Sequence, residues 1–281
     1  MDRLPGVFFV GPERTGTTWI HRYLALRGDV CLPTATKETF FFDRHFERGV
    51  AWYLSHFGND LDRPLMAEVA PTYFHQAQVG ARIAALVPQA HVVCTLRDPV
   101  KRSYSAYQHM RAYGATNAPL QQAVIEHPQI LDASRYASHV QRLRAQLGAQ
   151  RVHVLLLDDL AADSEAFARR ICEITGLTPR PPPPELRAER VNATGAPRHP
   201  RLARLGFMIR GPLRRARWFG PIAWARRLGL QQLFFGVRES GGEPTAEDLH
   251  FLRRQLAGEV ERIEALLGRA LPQWHAQGDG S

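Results

Sequence analysis

The segment Val7-Phe8-Phe9-Val10 is continuously apolar and runs straight into Gly11-Pro12-Glu13-Arg14-Thr15-Gly16-Thr17-Thr18-Trp19. This junction restricts the fold more than any other stretch of the chain. A short, wholly apolar run reads as a strand buried on both faces, as in a parallel sheet. The glycine-bearing turn and the helix-forming residues after it complete a strand–loop–helix. Backbone N–H groups and the helix dipole at such a junction hold anions. The glycines have G-x-x-x-x-G spacing, but Thr17 follows Gly16 where a nucleoside-triphosphate loop carries lysine. That lysine reaches the β- and γ-phosphates. Here the basic residue is Arg14, inside the loop, and Thr17 and Thr18 add hydroxyls at the helix start. The pattern predicts a loop for an anionic group on a nucleotide that is not a triphosphate.

The same grammar recurs downstream. His91-Val92-Val93-Cys94-Thr95-Leu96 reads as a second buried strand, followed by Arg97, by Asp98 as N-cap and by Pro99 as first helical residue. Val152 to Leu157 reads as a third strand, and the helix from Glu165 to Ile174 closes at Gly176. Strands alternating with helices predict an α/β fold: one domain over 1–281, a P-loop-kinase-like, doubly wound parallel sheet flanked by helices. Its nucleotide-binding elements are 7–27, 91–112 and 191–201, with a basic insert over 198–238 and a terminal amphipathic helix over 245–268. Ligands of such sheets bind beyond the C-terminal strand ends, where Gly11 and Arg97 both stand. Pro181 to Pro184 reads as a stiff surface connector.

The formal charge is +9 over 281 residues, which favours anionic partners. Asp and Glu are absent between Val191 and Val237, while that stretch holds Arg198, Arg201, Arg204, Arg210, Arg214, Arg215, Arg217, Arg226 and Arg227. With Trp218, Phe219 and Trp224 interleaved, it reads as a solvated helical insert, a basic lid against an anionic membrane surface or, least, a nucleic-acid contact. Cys31, Cys94 and Cys172 have neither zinc-ligand nor disulfide-framework spacing, which predicts a reducing compartment. The N-terminus shows no secretory pattern and no apolar run is long enough to span a bilayer, so the expected location is cytoplasmic, with peripheral membrane contact through 198–227 left open.

A second anion site emerges from Leu96-Arg97-Asp98-Pro99-Val100-Lys101-Arg102-Ser103-Tyr104-Ser105. An arginine at a strand end and a serine two turns into the next helix supply a charged fork and a hydroxyl to one phosphate. Two strand-end anion sites imply a ligand charged at both ends, such as a nucleotide with 5′ and 3′ phosphates.

With these blocks in place, the chain resembles the sulfotransferases that use 3′-phosphoadenosine 5′-phosphosulfate (PAPS), in particular bacterial members close to the heparan-sulfate-type branch. Arg14 to Trp19 is similar to the family's 5′-phosphosulfate loop, and Arg97 and Ser105 match its 3′-phosphate pair. Lys37-Glu38-Thr39-Phe40-Phe41-Phe42-Asp43 resembles the segment whose glutamate is the catalytic base. Glu68-Val69-Ala70-Pro71-Thr72-Tyr73-Phe74 resembles a second block, although Val69 stands where that branch has lysine. Arg135-Tyr136, His139 and the strand at Val152 continue the pattern, and Asn192 to Arg198 resembles the late loop that closes over the nucleotide.

The resemblance implies a sulfotransferase with PAPS as donor, 3′,5′-ADP as product and no metal. Glu38 would be the general base and Arg14 would meet the charge on the leaving phosphate. Arg14, Thr15, Gly16, Thr17, Thr18, Trp19, Arg97, Ser105, Tyr136, Gly195 and Arg198 would bind the nucleotide. Glu68, Tyr73 and Phe41 would meet a hydroxyl-bearing acceptor, carbohydrate, small molecule or lipid-linked glycan. A base beside an apolar cluster would have a raised pKa. His75, His109 and His139 are rival bases. The other readings are a P-loop nucleotide kinase, which lacks its lysine, and a non-catalytic basic protein that binds nucleotides or other anions.

Overall fold

The structure, a computed structural model, describes residues 3–34, 36–58, 62–187 and 243–275. Five parallel strands form one sheet: β1 (Val7–Phe9), β2 (Val30–Cys31), β3 (Leu65–Val69), β4 (His91–Leu96) and β5 (Val152–Leu156), in the order β2-β3-β1-β4-β5. β1 pairs with β3 on one side (Phe8 opposite Glu68) and with β4 on the other (Phe8 opposite Val92). The chain visits β2 and β3 on one side of β1, then crosses to β4 and β5. The C-terminal end of β1 is therefore the crevice where strand order reverses.

Side-chain alternation along β1 divides the core. Phe8 and Val10 join Val92, Cys94, Phe42, Tyr53, Tyr136, Val140 and Trp274 on one face. Val7 and Phe9 join Val93, Trp19, Ile20, Leu155, Phe167 and Ile171 on the other. Phe8 and Phe9 are both fully buried. Each such burial contributes about 1.5–3 kcal/mol, and a one-residue slip of β1 would exchange every side chain between the faces. Helix α1 (Thr17–Arg27) and the helix Ser164–Thr175 cover one face. The helices Val79–Leu86, Tyr136–Leu147 and Glu259–Leu267 cover the other, giving the doubly wound arrangement.

The predicted strands and caps are present. Asp98 Oδ1 accepts from the N–H groups of Val100 and Lys101 at 2.9 and 3.0 Å, and the helix Pro99–Ala112 begins there. Asp163 caps Ser164–Thr175 in the same way, and Gly176 ends it in the left-handed conformation. Two local readings change. The terminal helix is two helices, Ala246–Gln255 and Glu259–Leu267, separated at Gly258, whose φ of +73° ends regular helix. The proline run leads into a short helix, Pro184–Arg187, whose Leu186 carbonyl accepts from Trp19 Nε1 at 3.1 Å.

The described residues fall into two compact units. One is drawn from Met1–Arg102, Asp132–Val191 and Leu256–Ser281 and contains the sheet. Within it, Glu259 accepts from the Ala137 N–H at 2.7 Å and Trp274 Nε1 donates to Asp158 at 2.9 Å. The other is drawn from Ser103–Leu131 and Asn192–Gln255. There Tyr107 donates to the Ala118 carbonyl at 2.9 Å and Gln121 to Glu247 at 3.0 Å. Among the described residues, no helix is long and apolar enough to cross a membrane.

Candidate functional site

The loop after β1 is pressed onto the neighbouring strand. A Cβ on Gly11 would stand 2.4 Å from the Thr95 carbonyl oxygen and 2.5 Å from its nitrogen, so no side chain fits there. Thr15 is fully buried, and its hydroxyl donates to the Pro12 carbonyl at 2.6 Å, closing the loop on itself. Gly16 has φ +90° and Arg14 φ +76°. Glycine adopts that region freely, whereas a side-chain-bearing residue does so at a cost of roughly 1–2 kcal/mol. The loop thus holds its basic residue in a conformation that arginine on its own avoids.

Gly16 is also the N-cap of α1 and brings no capping side chain, and the helix has no acidic residue in its first turn. The helix itself therefore supplies no counter-charge at its positive end, the condition that favours an anion. Trp19 anchors this helix by stacking on Tyr23 at 5.4 Å and meeting Phe167 edge-on at 5.7 Å. The sequence places Trp19 at the nucleotide; its indole is buried among these rings and faces the core.

Lys37 and Glu38 stand at the same helix start. Lys37 Nζ lies 3.4 Å from Thr18 Oγ1 and 3.9 Å from Glu38 Oε1. Burial pulls the Lys37 ammonium below its ordinary pKa, with Glu38 and Glu13 acting against that fall. The next residue, Thr39, is fixed from beneath. Its N–H and hydroxyl donate to Glu68 Oε1 at 3.0 and 2.6 Å, Tyr53 donates to Oε2 at 2.8 Å, and Tyr73 lies 3.3 Å from both oxygens.

Glu68, Tyr73 and Phe41, which the sequence assigns to acceptor binding, are all fully buried. The reason is topological: β3 is an interior strand, so the chain leaving its end lies under the 38–42 turn. Phe41 stacks on Tyr53 at 4.5 Å, and the Phe42 N–H donates to Tyr73 at 3.2 Å. These residues support the turn from below. Burial pushes the Glu68 carboxyl above its usual pKa despite the four donors around it. Its partners are hydroxyls and a backbone amide, and not the arginine that a structural carboxylate usually attracts.

The end of β4 supplies a second cationic region. Arg97 follows the strand two residues after Thr95, the residue against which Gly11 packs, and burial holds its pKa below the usual guanidinium range. Asp98, Asp158 and the buried Tyr136 hydroxyl are the groups whose charge would act on it. Arg102 lies deeper, 3 % exposed. Its Nε donates to the Glu13 carbonyl at 3.1 Å and its Nη1 to Ser134 Oγ at 3.3 Å, so it ties the anion loop to the residues before helix Tyr136–Leu147.

Arg102 and Lys37 were not among the sequence-derived site residues. A signal for Arg102 was present: Ala106 and Tyr107 define the apolar stripe of their helix, and four residues back on that stripe stand Arg102 and Ser103, all four of them buried. Lys37 carried no comparable signal, because its approach to Thr18 joins segments 19 residues apart.

The remaining assignments divide. Arg14, Thr15, Gly16, Thr17, Thr18, Trp19, Glu38, Arg97 and Tyr136 all belong to the unit that contains the sheet. The unit boundary falls after Arg102, so Ser105 belongs to the second unit, half-buried on helix Pro99–Ala112. Gly195, Arg198 and the whole basic stretch 198–238 lie outside the described residues. Of the rival bases, His139 is buried with Nε2 2.8 Å from the Asp132 carbonyl. Burial and the nearby Arg102 charge lower the His75 pKa, and His109 packs on Tyr113 in the second unit.

A parallel α/β sheet with a glycine-bearing loop after its central strand and an arginine ending the neighbouring strand is a P-loop-like fold. Residues 60–181 match the family model described as Sulfotransferase family. The human bifunctional heparan sulfate N-deacetylase/N-sulfotransferase 2 is 31% identical over 199 residues, covering 63% of this chain and 22% of that protein. The Drosophila melanogaster bifunctional heparan sulfate N-deacetylase/N-sulfotransferase is 31% identical over 186 residues, 55% of this chain and 18% of that protein. The chain thus spans about a fifth of the length of these curated relatives. Among solved structures, a sulfotransferase from Alicyclobacillus acidocaldarius shares the fold with a TM-score of 0.69 over 98% of this chain and 100% of that one, at 19% identity.

Proposed function

We propose that this chain is a sulfotransferase that moves a sulfuryl group from PAPS to an acceptor hydroxyl, with a carbohydrate or glycoconjugate as the favoured acceptor. The observation that carries the reading is the anion cradle itself, in a chain whose residues 60–181 match the Sulfotransferase family model: a side-chain-free loop pressed on Thr95, Arg14 in a left-handed turn and an uncapped helix start. The desolvated Arg97 at the adjoining strand end suits a second phosphate. These residues fit a nucleotide charged at both ends, and PAPS would supply the sulfuryl group on an activated phosphate.

Arg14, with the N–H groups and hydroxyls of Thr15 to Thr18, would stabilise charge on the leaving 5′-phosphate, as in phosphoryl transfer. Glu38 would take the proton of the acceptor hydroxyl. Arg97 would hold the 3′-phosphate and set the nucleotide's register. Glu68 would act through Thr39, keeping the Glu38 turn in place. The names of the relatives describe heparan sulfate modification, which is the basis for favouring a carbohydrate acceptor.

Calorimetric titration with 3′,5′-ADP, 5′-AMP and ATP tests the donor site. The expected result is micromolar binding of 3′,5′-ADP, far weaker binding of 5′-AMP, and a loss of about tenfold or more in Arg97→Ala, the effect of one charge-assisted contact. Equal affinity for 3′,5′-ADP and 5′-AMP sinks the reading. A radiolabelled-sulfate screen over polysaccharides with free hydroxyls or free amines then identifies the acceptor, with Glu38→Gln as the inactive control.

A further inference from the structure

The loop lacks the lysine that its glycine spacing would accommodate, yet a lysine ammonium arrives at the same helix start from another segment. Lys37 Nζ is 3.4 Å from Thr18 Oγ1, with 27 % of its side chain exposed. A cation is poorly placed there. The N-terminal end of α1 is the positive end of its dipole, Arg14 is already in the loop, and cations are disfavoured at such ends. Burial removes part of its hydration as well. Glu38, the carboxylate beside it, is 3.9 Å away, beyond hydrogen-bond distance. One of three N–H donors is directed to Thr18, and among the described residues the others have no equally close acceptor. Such an arrangement gains its stabilising partner when an anion enters the cradle between the loop and Glu38.

We propose that Lys37 is a further catalytic residue, its ammonium contacting the transferring sulfuryl oxygens between the Thr18 end of the loop and Glu38. The inference rests on the donor reading and adds to it the group that meets the sulfuryl moiety itself. Lys37 donates to the sulfuryl oxygens while the bond from sulfur to the 5′-phosphate oxygen breaks, its electron pair staying on the phosphate. The acceptor oxygen forms the new bond to sulfur, and its proton passes to Glu38. Lys37 stays protonated throughout, so protons and charge balance without a further co-reactant. With their charged ends 3.9 Å apart, Lys37 and Glu38 can flank one reacting centre that lies beside them, the ammonium on the sulfuryl oxygens and the carboxylate on the acceptor proton.

The contact is specific to the sulfuryl group, and that makes it testable by binding alone. Lys37→Met and Lys37→Arg are titrated calorimetrically with 3′,5′-ADP, which lacks the sulfuryl group, and with PAPS, which has it. Lys37→Met is expected to bind 3′,5′-ADP within about twofold of the wild type and PAPS about tenfold or more weakly, with Lys37→Arg recovering most of the difference. An equal loss for both ligands assigns Lys37 to the phosphate or to the fold and overturns the proposal, as does no loss for either. Failure of the unmutated protein to bind 3′,5′-ADP is a separate result: it overturns the donor reading before any variant is compared.

Discussion

Removing the carboxylate at Glu68 should destabilise the sheet-bearing unit without touching the anion loop. Glu68 is fully buried and accepts from the Thr39 N–H and hydroxyl and from Tyr53, with Tyr73 at longer range. In Glu68→Ala the Thr39 hydroxyl can still pair with Tyr73 at 3.2 Å, but the Thr39 N–H and Tyr53 hydroxyl lose their acceptor. Each buried donor left unpaired costs about 1–3 kcal/mol. Relief of the charge's own burial offsets part of this, and a net loss of about 3 kcal/mol remains. At about 2–4 °C per kcal/mol, the melting temperature should fall by about 6–12 °C in differential scanning calorimetry.

The pH dependence supplies the sharper test. The folded Glu68 carboxyl has a raised pKa, so its stabilising contribution is complete below the ordinary glutamate range and is lost as pH rises through the folded value. Glu68→Gln has no such titration. The stability of the wild type relative to Glu68→Gln should therefore decline as pH rises from about 4, the ordinary glutamate value, through the raised folded value. A difference that stays constant across that range, or a Glu68→Ala cost below about 1 kcal/mol, refutes the account of this network.

Gly11→Ala should destabilise by about 2 kcal/mol or more in urea unfolding, because its methyl would meet the Thr95 backbone and not a movable side chain. Asp29→Asn should destabilise at neutral pH and converge with the wild type as pH falls. Burial raises the Asp29 carboxyl, but hydrogen bonds at 2.9 and 2.8 Å from Arg27 outweigh it and leave the pKa lowered, so its contribution is present above the aspartate range and vanishes below it. Arg102→Leu should speed amide exchange selectively in residues 11–16, since it removes the donor to the Glu13 carbonyl; unchanged exchange there would count against a bracing role.

The elements written in local pattern were readable in the sequence. Val7–Val10 and His91–Leu96 are continuously apolar, Asp98-Pro99 is a helix start, and Gly176 is a helix end; all appear where the residues put them. β2 has two residues and β3 carries Glu68 in the middle of its apolar run, so neither shows the signal of a buried strand. The continuous terminal helix failed at Gly258, because a heptad-like apolar pattern survives a one-residue left-handed break. At the site, what sequence supplied was the list of chemically suitable residues. Its limits were spatial: which carboxylate is accessible and which is sealed under a turn depends on the order of strands. Glu38 and Glu68 are both acidic residues beside aromatics, yet Glu38 is partly exposed at the start of α1 and Glu68 has no exposure at all.

The contact between Gly11 and Thr95 has a metric consequence. Neighbouring strands in any sheet are about 4.8 Å apart, a spacing fixed by their hydrogen bonds. Since the loop after β1 rests directly on β4 only two residues before Arg97, neither turn can shift without carrying its strand along. The two turns are the jaws of a calliper whose opening is set by the sheet. Loop substitutions can change the charge and donors on each jaw, but the span between the jaws is fixed by the backbone of the core.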